Sequence, residues 1–225
     1  MKKQDYLPLI RRALAEDLGS AGDVTSLAIF SKKQNATFTL IAKDEGVLCG
    51  LEPFAAVFTA LDRKIAVETY FSDGDRLKKG DIVARVRGSL TGILAGERTA
   101  LNLVSHLSGV ASKTARFVKA GGARPIVLDT RKTVPGMRKL QKYAVATGGG
   151  QNHRMGLFDM VLIKDNHVDA AGGITPAVGR VRAKWGERFR IEVETRTLDE
   201  VREAVSLNVD RIMLDNMDNA AMKEA

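Results

Sequence analysis

The chain has 225 residues, 44% of them hydrophobic and 28% charged, an ordinary globular composition with enough apolar material for one large domain or two small ones. Its 35 Lys and Arg against 27 Asp and Glu leave a net charge of +8, but the sparse aromatics are not interleaved with the cations as in nucleic-acid stacking platforms, so no nucleic-acid partner is expected. The lone cysteine, Cys49, excludes an internal disulfide framework, and the absence of a signal-peptide core or a membrane-length apolar run predicts a soluble, cytoplasmic protein.

In chain order, Leu7, Ile10, Leu14 and Leu18 fall near helical spacing and predict a helix from about Leu7 to Asp17, ended at Gly19. Asp23, Thr25 and Ser26 read as a polar turn. Asn35 to Leu48 alternates as a strand does, with Phe38, Leu40 and Ala42 on one face. Glu52 to Leu61 reads as a short helix. Ile65 to Phe71 and Ile82 to Val86 read as strands, set off by the Asp73-Gly74-Asp75 and Lys79-Gly80-Asp81 turns. These elements predict an N-terminal α+β open sandwich. A long helix from about Ile93 to Ala120 follows. Leu94, Leu101, Val104 and Ala111 trace its apolar stripe, while Arg98, Asn102 and His106 recur on a face that reads as solvent-exposed.

After Gly121-Gly122 the rhythm changes. Pro125–Thr130, Met160–Asp165, Arg190–Thr195 and Arg211–Asn216 are short, β-branched-rich apolar runs, with helical stretches near Gly136–Ala146, Ile174–Trp185 and Thr197–Ser206. Such alternation predicts parallel strands in an α/β barrel, whose active site forms at the carboxyl ends of the strands. The division expected is 1–110 for the sandwich with the start of the connecting helix, and 111–225 for the barrel domain.

The runs end in chemistry. Asp129-Thr130-Arg131-Lys132, Lys164-Asp165-Asn166, Glu192 with Glu194, and Asp215-Asn216 occupy the strand ends, and His153-Arg154 follows a glycine triplet. Guanidinium and ammonium groups at such positions suit a small ligand with several negative charges, because they donate charge-assisted hydrogen bonds to carboxylate and phosphate. Lys142 and Arg138 read equally well as surface ion pairs. There is no Walker loop and no G-x-G-x-x-G, and His106, His153 and His167 lack zinc-ligand spacing.

Taken in order, Glu16-Asp17-Leu18-Gly19, Gly22-Asp23-Val24-Thr25-Ser26, Gly96-Glu97-Arg98-Thr99, Asp129-Thr130-Arg131-Lys132-Thr133, Gly148-Gly149-Gly150 with Asn152-His153-Arg154, Lys164-Asp165-Asn166-His167, Glu192-Val193-Glu194 and Leu214-Asp215-Asn216 closely resemble the quinolinate phosphoribosyltransferase family over essentially the whole chain. The resemblance implies transfer of phosphoribosyl from 5-phosphoribosyl 1-pyrophosphate to quinolinate with loss of CO2, giving nicotinate mononucleotide and pyrophosphate, a step in NAD biosynthesis. It places Arg131, Arg154 and His153 around the quinolinate carboxylates, with Thr130 positioning the substrate. Lys132 and Lys164 would face the donor phosphates and the charge that develops on decarboxylation. Glu194 and Asp215 would hold ribose hydroxyls, directly or through Mg2+ bound with the donor's pyrophosphate. It further implies a homodimer, or a hexamer assembled from dimers, in which Arg98 completes the partner's pocket.

Family members continue past the Asp215-Asn216 strand with about two more strand–helix units, whose glycine turns bind the donor's 5-phosphate. The barrel is therefore expected to lack its last units in this chain. Two other readings remain: a paralogue of the same fold, of the molybdenum-transport-associated type, and a non-catalytic, basic nucleic-acid-binding protein.

Overall fold

Tyr6, Ile10 and Leu14, one helical turn apart, are buried along one side of α1 (Lys3–Leu18), the first element of a computed structural model that describes residues 1–31 and 33–225. Gly19 ends this helix at a positive φ of 49°, a conformation glycine adopts without steric cost. The expected polar turn is instead a second helix, α2 (Val24–Ile29), because the Asp23 carboxylate accepts from the Ser26 N–H at 3.0 Å and caps it.

The predicted long strand is two. β1 (Asn35–Ile41) alternates exposed and half-buried residues, and β2 (Gly46–Val47) is a short separate piece. Between β2 and the next strands lies α3 (Leu51–Leu61), followed by β3 (Ala66–Thr69), β4 (Arg76–Leu77) and β5 (Ile82–Ser89). β5 is the centre of an antiparallel sheet in the order β1-β5-β3, while β2 pairs with β4. The helix α4 (Leu90–Gly121) then runs for 32 residues, opened by the Ser89 hydroxyl accepting from the Gly92 N–H. Its buried stripe is Ile93, Ala100, Leu103, Leu107 and Ala111 rather than the predicted Leu94 and Leu101, which are only half-buried. Ser108 and Ser112 on α4 accept from the Cys49 and Val47 N–H groups at 3.0 and 2.8 Å, tying the helix to the sandwich.

Residues 125–130, expected to form a strand, do not. Leu128 makes a single parallel bridge to Gln151, closed by Gln151 N–H to Val127 O at 2.8 Å and Asp129 N–H to Gln151 O at 3.1 Å. The run lacks the second flanking partner that a barrel strand needs, and Ile126 stays 61% exposed. α5 (Arg138–Thr147) begins after Pro135 and Gly136, two residues later than predicted. Met1–His153 form one compact unit.

Arg154–Ala225 form the second unit. Here β6 (Val161–Ile163), β7 (Ile191–Thr195) and β8 (Arg211–Leu214) make a parallel sheet in the order β6-β7-β8. α6 (Asp165–Ala171), unforeseen from sequence, follows β6 directly, with the His167 Nδ1 accepting from the Lys164 N–H at 2.9 Å. α7 (Ile174–Trp185), α8 (Leu198–Ser206) and α9 (Asn219–Glu224) complete the series. Ile163, Ile191 and Val193 pack with Val168, Ile174, Val178 and Ala204 in this unit's own core. Strand–helix alternation around an apolar parallel sheet gives the α/β character read from the sequence.

Candidate active site

In the first unit, three α5 side chains hold the cationic segment that leaves the 127–129 bridge. Arg138 donates through Nε to the Thr133 hydroxyl at 3.1 Å and through Nη2 to the Arg131 carbonyl at 3.4 Å. Gln141 Oε1 accepts from the Val134 N–H at 2.9 Å, which turns its amide nitrogen toward His106 Nε2, also at 2.9 Å. Since that nitrogen donates, His106 accepts with Nε2. His106 therefore serves this segment rather than solvent. Lys142, one turn past Arg138, donates to the Asp129 carboxylate and, at 2.9 Å, to the His153 carbonyl.

Asp129 is shared. Its Oδ1 also accepts from the His153 N–H at 2.9 Å, and its Oδ2 accepts from the Asn152 amide at 2.7 Å. The result joins the Asp129-to-Lys132 arm to the Asn152-His153 arm through one buried ion pair, whose side chains are only 1% and 6% exposed. Lys142 is thus an interior tether and not a surface pair, which corrects the sequence reading, while the half-buried Arg138 ties the arm down at Thr133 and Arg131. Along the arm, Thr130 is exposed and its hydroxyl accepts from the Lys132 N–H at 3.0 Å. Lys132 is exposed, and Arg131 is half-buried with a buried Nε that has no hydrogen-bond partner among the described residues.

The glycine triplet serves packing. A Cβ on Gly148 would lie 2.3 Å from the Ala111 carbonyl oxygen, and one on Gly150 would lie 2.9 Å from Thr114 Cγ2, so glycine lets this loop press against α4. Elsewhere in the unit, Arg98 stands exposed on α4 at a cavity of about 850 Å³ that Lys113 and Arg116 also line, over a floor that includes Phe38, Phe54 and Val104.

In the second unit the parallel register aligns Ile163 with Val193 and Glu194 with Met213. It follows that Lys164 stands beside Glu194, and the Lys164 ammonium meets the Glu194 carboxylate at 2.8 Å. The Glu194 side chain is 8% exposed and that of Lys164 46%. Asp215 lies just past β8, its N–H bonded to the Thr195 carbonyl at 2.9 Å, and its Oδ2 accepts from the Asn216 amide at 2.8 Å. Asn216 adopts a positive φ of 53° there. Lys164, Glu194 and Asp215 thereby gather at the carboxyl edge of one sheet, as the strand-end reading expected. Glu192 instead sits at mid-strand, 1% exposed, bonded to Arg211 at 3.3 Å. Arg154, 9% exposed, donates to the Met160 carbonyl at 3.3 Å. Among the described residues no group of three or more His, Cys, Asp or Glu side chains could hold a metal ion, and no helix is long and apolar enough to cross a membrane.

A sandwich half with a three-stranded antiparallel sheet, followed by a parallel α/β half with cations and carboxylates at its strand ends, defines a class of two-part α/β enzyme folds. NadC from Streptococcus pyogenes shares it, with a TM-score of 0.96 at 42% identity over 100% of this chain and 79% of that one. The nicotinate-nucleotide pyrophosphorylase from Francisella tularensis gives 0.91 at 36% identity. The model for the N-terminal domain of quinolinate phosphoribosyl transferase matches residues 23–108, and that for its C-terminal domain matches 110–225. The chain belongs to the quinolinate phosphoribosyltransferase family. It is 42% identical to the probable nicotinate-nucleotide pyrophosphorylase (carboxylating) of Bacillus subtilis, covering 92% of this chain and 72% of that protein. Identity to the chloroplastic rice relative is 44%, over 95% of this chain and 60% of that protein, so the chain spans about three fifths of the rice protein's length.

Proposed function

We propose that the protein transfers phosphoribosyl from 5-phosphoribosyl 1-pyrophosphate to quinolinate with decarboxylation, in the cytoplasm. The ring nitrogen of quinolinate bonds to the anomeric carbon as the bond to pyrophosphate breaks. The bond to the 2-carboxylate then breaks, releasing CO2; its electron pair stays on the ring carbon beside the cationic nitrogen until that carbon takes up a proton. The observation that carries this reading is the tethered arm that starts at Asp129: α5 holds its backbone at Arg131 and Val134 and its side chains at Asp129 and Thr133, so the segment that bears Arg131 and Lys132 is held in place before an anion arrives. Such preorganisation is the main way a protein stabilises charge during a reaction.

In the first unit, Arg131 and His153 grip the carboxylates of quinolinate, with Thr130 orienting the ring and Lys132 facing donor phosphate. The unpartnered Arg131 Nε supports that role, since a buried donor without a partner is costly unless a ligand supplies one. In the second unit, Arg154 binds substrate carboxylate, Lys164 faces developing negative charge, and Glu194 and Asp215 hold ribose hydroxyls. These two carboxylates, one already bonded to Lys164, fit a Mg2+ ion carried chiefly by pyrophosphate oxygens, because magnesium commonly takes one or two carboxylates plus substrate phosphates. Glu194 and Asp215 would hold that ion, which when bound offsets charge on the departing pyrophosphate.

We place Arg98 in the partner's pocket of a homodimer. Its exposed position on α4, along a cavity that Lys113 and Arg116 also line and that has an apolar floor, supports a covered surface there. The paralogue and nucleic-acid readings draw no support from the relatives matched. Loss of the quinolinate absorbance on mixing with donor and Mg2+ tests the reading. Consumption that requires both is expected; consumption that proceeds without the donor, or none at all, contradicts it.

A further inference from the structure

No step of the proposed reaction uses Lys142, yet its side chain is only 1% exposed and the group it meets, Asp129, stands two residues before Arg131. Two residues of extended chain span roughly 7 Å. A carboxylate at that range, shielded from water, would weaken the pull of Arg131, Lys132 and His153 on any anion. The structure also shows why a carboxylate stands there. Its two oxygens accept from the His153 N–H and the Asn152 amide, and so fix the second arm. The carboxylate is needed as a double acceptor, while its charge works against the site.

We propose that Lys142 is a positioning and charge-masking residue for quinolinate binding: its ammonium cancels the Asp129 charge and, through the His153 carbonyl, fixes both cationic arms. The inference rests on the quinolinate reading given above. It assigns Lys142 no contact with substrate. Removing one member of a buried pair leaves the other charge exposed to the site, whereas Asp129→Asn beside Lys142→Met keeps a neutral oxygen for the His153 N–H, and the new amide N–H meets the Asn152 oxygen once that amide turns over.

The test compares wild type, Lys142→Met and the double variant Lys142→Met/Asp129→Asn. Quinolinate-dependent thermal shifts give affinity without turnover, and KM for quinolinate and for the donor is measured beside them. Lys142→Met should weaken quinolinate binding by about tenfold or more. The double variant should return to within about threefold of wild type, a coupling that contact residues show and independent sites do not. If Lys142 were only structural, the double variant would bind no better than the single one, and that result overturns the proposal. Should Lys142→Met fail to fold, the double variant alone decides: a loss of about tenfold against wild type overturns it. A wild type that shows no quinolinate-dependent shift removes the functional reading itself, and the inference with it. A responsive wild type that Lys142→Met matches overturns the inference alone.

Discussion

Gly148→Ala is a sharp test of how the loop before His153 is built. Gly148 has φ −78° and ψ 3°, angles open to any residue, so alanine meets no backbone strain there. What it meets is α4: the added methyl would lie 2.3 Å from the Ala111 carbonyl oxygen and 2.8 Å from Thr114 Cβ. The first obstacle is backbone and cannot rotate aside, so the loop must move. Overpacking of this kind costs typically 1–3 kcal/mol, and a backbone clash belongs at the top of that range, about 3 kcal/mol. For a chain of this length each kcal/mol moves the Tm by roughly 2–4 °C, giving a fall of about 6–12 °C. Gly179→Ala is the control. Gly179 lies inside α7 with nothing within 4 Å of a new Cβ, so alanine should stabilise by about 0.5–1 kcal/mol. Both variants are read by thermal denaturation followed by circular dichroism. A Gly148→Ala protein that melts within about a degree of wild type would refute the close approach of this loop to α4.

Arg131→Ala should raise the KM for quinolinate by about tenfold or more while moving the donor KM far less, because a carboxylate loses its fork; steady-state kinetics with each substrate varied would show it, and equal losses would contradict the assignment. Mixing Arg98→Ala subunits with Lys132→Ala subunits should restore about a quarter of wild-type activity, since half the dimers are mixed and each mixed dimer has one intact site; no rescue would mean that each site is built from one chain. Burial pushes the Cys49 thiol up to about 12, and burial together with donation to Asp73 does the same for the Tyr143 hydroxyl. Both are neutral in the fold and ionise at lower pH once unfolded, so their stabilisation is complete below about pH 9 and is lost as pH rises toward about 12. Urea midpoints should fall across that window, and less steeply in Tyr143→Phe.

Long apolar periodicities made most of the fold legible. α1, α3, α4, α7 and α8 and the three parallel strands all appear close to where their patterns place them, because burial of one face or of a whole strand dictates those patterns. Short-range capping was less visible. The Asp23 side chain that reads as a turn former also caps α2, and His167, to which the sequence assigns no structural part, closes the first turn of α6. The run at 125–130 has strand composition, but composition does not supply neighbours, and a single bridge is all that forms.

The placement of Lys164, Glu194 and Asp215 at strand ends could be read directly, since each closes an apolar run long enough to mark a strand. The tethers that hold the arm from Asp129 could not. Lys142 lies two residues from both Leu140 and Ala144, which are buried, and at 100° per residue that places it on the opposite face, where a lysine ordinarily meets water. α5 is covered on both faces, and the arm that lies over the second one comes from an earlier part of the chain, outside the helix. The bond between His106 and Gln141 escaped notice for the same reason: it spans 35 residues of chain and leaves no periodic trace, so His106 reads only as part of a solvent face.

The most direct measurement is release of labelled CO2 from quinolinate carrying 13C in its 2-carboxylate, followed by mass spectrometry together with nicotinate mononucleotide. Equal amounts of labelled CO2 and mononucleotide, both strictly dependent on 5-phosphoribosyl 1-pyrophosphate, are expected. Retention of the label in the ring product, or release of it without the phosphoribosyl donor, would contradict the account.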